Sequence, residues 1–168
     1  DVPYYPRRAP PPTVASMAAI ARELRREVGL PMGINVLRND AISALSIACV
    51  SGASFIRVNV HCGAALTDQG LIEGEAHRTL RLRRLLAAEF VKVFADLQVK
   101  HAAPLAPRPL AEEAADARHR GLADALIITG RRTGEPPALE DLREARAASN
   151  APVLAGSGVN PSNVASIL

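Results

Sequence analysis

Short apolar runs alternate with helically patterned stretches along the whole chain. The opening segment, through Pro10-Pro11-Pro12, is too rich in proline for a helix interior or a central strand. Thr13 then offers an N-cap, Met17, Ile20, Ala21, Leu24 and Val28 recur at helical spacing, and Gly29 can close the helix. Met32 to Leu37 reads as a short strand, Asp40 as the cap of a small-residue helix ending near Gly52, and Phe55 to Val60 as a second strand. A long polar loop is expected from His61 to about Gly74, then a charged helix to about Ala88 and a strand from Val91 to about Val99. Pro109 suits the first turn of a helix ending at Gly121. Ala125 to Thr129 is a strand, Ala138 to Ala148 a helix, and Val153 to Ala155 a last strand that runs through Gly156-Ser157-Gly158 into a helix near Pro161.

Five strands alternating with helices imply βαβ units and a parallel sheet. An open doubly wound sheet and a closed eight-fold barrel are the competing architectures. Strands of a doubly wound sheet are apolar on both faces. Here Ile56, Val58 and Val60 share one face while Arg57 and Asn59 share the other, and Val91, Val93, Ala95 and Leu97 oppose Lys92, Phe94, Asp96 and Gln98. An apolar outer face with polar groups gathering toward the strand ends is the pattern of a barrel lumen opening at a catalytic mouth. The expected fold is therefore α/β, a (β/α)8 TIM barrel present only in part. Such a barrel needs roughly 250 residues, so the 168 residues are expected to hold strands 3 to 7 in a single partial domain over residues 1–168. The start at Asp1, without Met, reads as mid-protein.

Composition changes this picture little. Aromatic residues make up 3% and Trp is absent, so the core must be built from Ala, Val, Leu and Ile. The net charge of +3 is spread along helices without interleaved aromatics, which points away from nucleic acid. Cys49 and Cys62 form neither a disulfide framework nor a metal motif, and no secretory signal or membrane span is visible. A reducing, cytoplasmic setting is the expectation.

Seven stretches resemble the BtpA/SgcQ family, whose members resemble the ribulose-phosphate-binding barrels. They are GINVLRNDA at Gly33–Ala41, FIRVNV at Phe55–Val60, TDQGLIEG at Thr67–Gly74, VKHAAPL at Val99–Leu105, GLADALIITG at Gly121–Gly130, TGEPP at Thr133–Pro137 and GSGVNPSNV at Gly156–Val164. Their order and spacing fit along nearly the whole chain. The resemblance implies a complete barrel, of which the first two strands and the eighth are absent here. The family's name comes from a protein linked to photosystem I accumulation, although other members occur where there is no photosynthesis. A phosphoribosylanthranilate-isomerase-like label on many members is a fold-level analogy. A role in sugar or nucleotide metabolism is what the resemblance implies.

The residues themselves offer several constellations. Gly156, Ser157, Gly158 and Asn160 lie between a strand and a helix, where glycines bring backbone N–H groups close to an anion; phosphate is the expected guest, an ordinary turn capped by Asn160 the alternative. Asp96, Lys100 and His101 are candidate catalytic groups, because cationic neighbours and burial set a carboxyl's proton affinity; a structural ion pair at the mouth is the alternative. Asn35, Arg57 and Asn59, with Arg38 and Asn39 nearby, are candidate substrate ligands. Arg57 should be paired with a carboxylate such as Asp96 or with an anionic ligand, and Asp40 reads as a helix cap rather than a catalyst.

Asp68 and Gln69, in the loop with His61, Thr67 and Glu73, suit a lid. Thr129 and the Thr133–Pro136 turn suit a second closing loop, or a turn imposed by glycine and proline. No cofactor is demanded by any motif. A divalent metal held by Asp68, Glu73 and Asp96 is compatible with the residue types but has no diagnostic spacing. The expected function is an enzyme acting on a small phosphorylated sugar- or nucleotide-like substrate, of isomerase, lyase or hydrolase type. The alternative is a non-catalytic assembly or stability factor of the photosystem I biogenesis type. Homo-oligomerisation is compatible with either.

Overall fold

The structure, a computed structural model, describes residues 3–130, 132 and 134–168. Asp1, Val2, Arg131 and the Thr133 of the expected closing loop lie outside the described residues. Helix α1 spans Pro11–Glu27, with Pro10 as its N-cap residue, so it begins two residues before the expected cap at Thr13. Proline belongs in a first turn, where its missing N–H has no partner to lose. The helix ends as Val28 turns extended, not through Gly29 in a left-handed conformation.

Strand β1 is only Gly33–Ile34, shorter than the expected Met32–Leu37. Helix α2, Ala41–Ser51, is capped by Asp40, whose carboxylate accepts Ser43 N–H at 3.0 Å. Its Ala41, Ala44, Leu45, Ile47 and Ala48 are buried. Strand β2 is Phe55–Val58, β3 Ala64–Thr67, β4 Gly70–Glu73, and helix α3 Ala76–Leu85. Strand β5 is Lys92–Leu97, β6 Ala102–Pro104, α4 Leu110–His119, β7 Ala125–Ile128, α5 Leu139–Ser149, β8 Val153–Ala155 and α6 Val164–Ile167.

Strands β1-β2-β5-β7-β8 form one parallel sheet in that order. The order follows the chain without the reversal that marks a doubly wound sheet. Parallel sheet and intervening helices are compatible with part of a barrel. The alternation expected in β2 and β5 holds: Ile56, Val58, Val93 and Ala95 are buried in the apolar core. Sealing a side chain such as Ile56 or Val93 contributes roughly 1.5–3 kcal/mol. Arg57 pairs in register with Phe94, two residues before Asp96 on the same face of β5. Lower on the same face Phe55 stacks on Phe94, with centroids 4.3 Å apart. Gly33 makes that stack fit, since a Cβ there would lie 2.0 Å from the Phe55 ring.

The segment His61–Gly74 corrects an expectation. It is not a polar loop but an antiparallel hairpin, β3 and β4, extended by β6 into a three-stranded sheet of order β4-β3-β6. Ala65 and Ile72 are buried beneath this arm, while Leu66 and Leu71, paired across the hairpin, are exposed.

Candidate functional site

At the C-terminal ends of the first strands, polar side chains form a continuous row. Arg57 donates Nε to Asp96 Oδ1 and Nη2 to Asp96 Oδ2, both at 2.8 Å. Asn59 Nδ2 adds a third bond to Asp96 Oδ2 at 2.8 Å. Asn35 Nδ2 donates to Asn59 Oδ1 at 3.1 Å and to the Arg57 carbonyl at 3.0 Å. The sequence pairing of Arg57 with Asp96 is thus observed as a bidentate fork, the strong form of a charge-assisted bond. The Asp96 side chain is sealed. Burial pushes its carboxyl above the ordinary carboxylate value, against the downward pull of Arg57, Asn59 and the nearby Arg38 charge. The hydrogen bond to Asp96 raises the Arg57 guanidinium, so its positive charge is secure.

Asp96, Lys100 and His101 do not form one cluster. The reading that Lys100 keeps the parity of Asp96 requires β5 to continue, but β5 ends at Leu97 and Gln98 turns to φ 49°. Lys100 Nζ reaches away, donating to Ser157 Oγ at 2.8 Å and to the Arg132 carbonyl at 2.9 Å. His101 is exposed at φ 56°. Among the described residues neither makes a hydrogen bond or ion pair with Asp96.

Lys100 instead meets the glycine loop. Ser157 Oγ donates to the Glu135 carbonyl at 2.7 Å, and Gly158 sits at φ 69° against Pro136, where a Cβ would come within 2.2 Å of backbone nitrogen. Gly156 N–H is used on the Ile128 carbonyl. The N–H groups of Ser157, Gly158 and Val159 find no acceptor among the described residues. Successive free N–H groups around a left-handed glycine make an anion-binding concavity. Asn160 turns inward on its own loop, accepting Ser162 N–H at 2.9 Å. It caps a turn rather than a long helix, because α6 begins only at Val164.

Residues 1–168 match the profile of the BtpA family. The chain belongs to the BtpA family. It is 49% identical over 169 residues to the photosystem I biogenesis protein BtpA of Synechocystis sp., covering 100% of this chain and 58% of that protein. It is 51% identical over 152 residues to an uncharacterised protein of Methanocaldococcus jannaschii, covering 90% of this chain and 57% of that protein. An uncharacterised mitochondrial protein of Caenorhabditis elegans is 35% identical over 170 residues, covering 97% of this chain and 61% of that protein. The chain spans less than two thirds of the length of these relatives.

In this BtpA-family chain the remaining candidates are dispersed. Asp68 and Gln69 form the tip of the β3–β4 hairpin and bond to each other, and no hydrogen bond of either reaches the row. Thr129, after β7, keeps its hydroxyl buried without a partner among the described residues. Its methyl lies close to Gly156, where a Cβ would come within 2.6 Å of it. Among the described residues no three His, Cys, Asp or Glu side chains gather as a metal site, so Asp68, Glu73 and Asp96 are not assembled.

Two residues of the supposed polar loop are structural. His61 is buried and donates Nε2–H to the Gly121 carbonyl at 2.8 Å, since a carbonyl can only accept. Nδ1 is left as a bare, buried lone pair. Burial lowers the His61 pKa, outweighing the bond to Gly121. Cys62 lies over the same glycine, and burial pushes its thiol up. Both cysteines are free. A cavity of about 1210 Å³ lies between the arm, α3 and α4, with Asn59, Asp96, Val99, Leu105 and Arg108 in its lining. Its lining does not include the Gly156 loop.

Asn39 and Asp40, beside the row, make contacts that hold the fold. Asn39 exchanges two 2.9 Å bonds with the backbone of Val60, continuing the ladder where β1 has stopped. Asp40 accepts Arg8 Nη1 at 3.0 Å and Ala9 N–H at 2.9 Å besides capping α2. No local pattern signals either contact. No helix among the described residues is long and apolar enough to cross a membrane.

Proposed function

We propose that the chain is the strand 3 to strand 7 portion of a (β/α)8 barrel whose C-terminal mouth binds a small phosphorylated sugar- or nucleotide-like molecule. The observation that carries this reading is the triplet of N–H groups at Ser157, Gly158 and Val159 that find no acceptor among the described residues, with Lys100 Nζ bonded to Ser157. Phosphate favours such backbone donors, and the loop after the seventh strand is where barrels hold it. Asn35, Arg57 and Asn59 are then proposed to orient the rest of the substrate. Strands β5 and β8 are separated by two strand spacings, roughly 10 Å, which suits a phosphorylated pentose. Asp96 is the proposed acid–base group, supported by the upward push of burial on its carboxyl. Lys100, bonded to Ser157, is the proposed cation of the phosphate end, and His101 is proposed to line the mouth beside it.

The test is a thermal-shift screen of the full-length protein against phosphorylated sugars, nucleotides and divalent metals, with inorganic phosphate as control. A ligand that binds only the native state raises the melting temperature. We expect a hit that weakens in Lys100→Met and disappears in Gly158→Asp, whose Cβ must displace the loop at Pro136 while the far-ultraviolet circular dichroism shows the helices retained. No shift from a well-folded protein defeats the reading.

A partner-binding reading has its own support. The relative in Synechocystis sp. is named for photosystem I biogenesis, and the arm exposes Leu66 beside Leu71. Under this second reading the arm docks on an assembly partner. A partner recovered equally well with Asp96→Asn, and lost with Leu66→Ser, favours it.

A further inference from the structure

Arg38 is the charged side chain that neither the row nor the loop accounts for. It is only 7% exposed, and it spends Nη2 on the carbonyls of Lys100, at 2.7 Å, and His101, at 3.4 Å. Nε and Nη1 find no acceptor among the described residues, and neither is among the polar atoms sealed without a partner. Among the described residues no carboxylate lies within ion-pair distance. Asp96 feels the Arg38 charge, yet both Asp96 oxygens are taken by Arg57 and Asn59. Among the described residues Arg38 therefore has no carboxylate of its own: Asp96 is engaged by Arg57 and Asp40 by Arg8. A buried cation without a counter-ion is costly, and two carbonyls offset only part of that cost.

We infer that Arg38 is an oxyanion-binding residue, taking a carboxylate or phosphate group of the molecule in the mouth at the end remote from the Gly156 loop. The inference rests on the reading that a small molecule binds there. With Nη2 engaged, Nε and Nη1 still offer charge-assisted N–H donors to the oxygens of an oxyanion, on a cation that stays protonated when buried. The ligand class then narrows to molecules anionic at both ends. Lys100 links the two positions: its carbonyl accepts from Arg38 and its ammonium holds Ser157.

The experiment titrates the full-length protein with inorganic phosphate and with malonate at constant ionic strength, by calorimetry. Wild type is compared with Arg38→Gln, Arg38→Lys and Gly158→Asp. Arg38→Lys keeps the positive charge but removes the guanidinium donors, so it reports on those donors even where Arg38→Gln melts early. A bond to a charged group contributes enough that losing these donors should weaken anion binding about tenfold or more. Loss of malonate alone in the Arg38 variants identifies a carboxylate. Loss of a phosphate site that persists in Gly158→Asp identifies a second phosphate. Wild-type affinity for both anions in both Arg38 variants overturns the inference, as does failure of wild type to bind either. If Gly158→Asp abolishes phosphate binding and the Arg38 variants weaken neither anion, the loop reading stands and this one falls; if the Arg38 variants weaken an anion and Gly158→Asp weakens neither, the reverse holds.

Discussion

The row at Arg57 and the loop at Gly158 are two different ways of building a polar site. The row is made of side chains whose bonding capacity is consumed within the protein: both oxygens of Asp96 are occupied and Asn59 is held from both sides. The loop is made of backbone whose capacity is left over, with three consecutive N–H groups unspent among the described residues. The row is rigid without a ligand, while the loop has donors only a ligand or water can satisfy. A site needs both kinds, since preorganised groups orient a guest and unspent donors supply its affinity.

Removing Arg57 tests the first half and carries the largest expected effect. Arg57→Ala leaves Asp96 buried with a single side-chain donor. The stability cost should be about 3 kcal/mol, the low end for a broken buried pair because Arg57 is partly exposed. Urea denaturation measures it. The double variant Arg57→Met, Asp96→Leu should recover most of that stability. Recovery of stability without recovery of ligand binding separates a functional row from a structural brace.

Detaching the loop is a smaller perturbation. Lys100→Met removes the bonds to Ser157 and Arg132, and should cost about 1 kcal/mol because that side of the molecule is open to water. The same variant should weaken phosphate binding more than it lowers the melting temperature. Equal effects on both would make Lys100 a strut rather than a ligand.

The smallest effect is a pH dependence from His61, away from both regions. Its folded pKa is lowered by burial, so the unfolded chain binds more protons below about pH 6.5, the ordinary histidine value. Its contribution to stability is therefore complete above that value and is lost as pH falls through the lowered folded pKa. Denaturation curves between pH 7.5 and 5 should steepen in their loss for wild type and flatten in His61→Gln. An unchanged slope would show that His61 is not held neutral.

The strand and helix order was legible because Ile56-Arg57-Val58-Asn59 and Val93-Phe94-Ala95-Asp96 carry a period of two, and a buried face enforces it. The Arg57–Asp96 pair followed from the same alternation, since charge on a strand's inner face must find its complement. The hairpin Ala64–Thr67, Gly70–Glu73 was not legible: Thr67-Asp68-Gln69-Gly70 reads as plain polar loop, and β3 gains a second partner, β6, whose Ala102 to Pro104 pair with Thr67 to Ala65 from far along the chain. Long-range pairing of that kind leaves no local periodicity.

Taken by itself, the chain's alternation determined the parallel α/β architecture, the Asp40 cap, the polar row and the glycine loop, because each is set by neighbours at fixed spacing. Tertiary structure alone decided where Lys100 and Arg38 point. Lys100 leaves the parity of Asp96 because Gln98 and His101 turn left-handed, and only folding brings it to Ser157. Arg38 becomes a buried cation because the turn at Lys100 closes over it. Both depend on chain reversals and on contacts more than fifty residues apart, which no pattern of adjacent residues encodes.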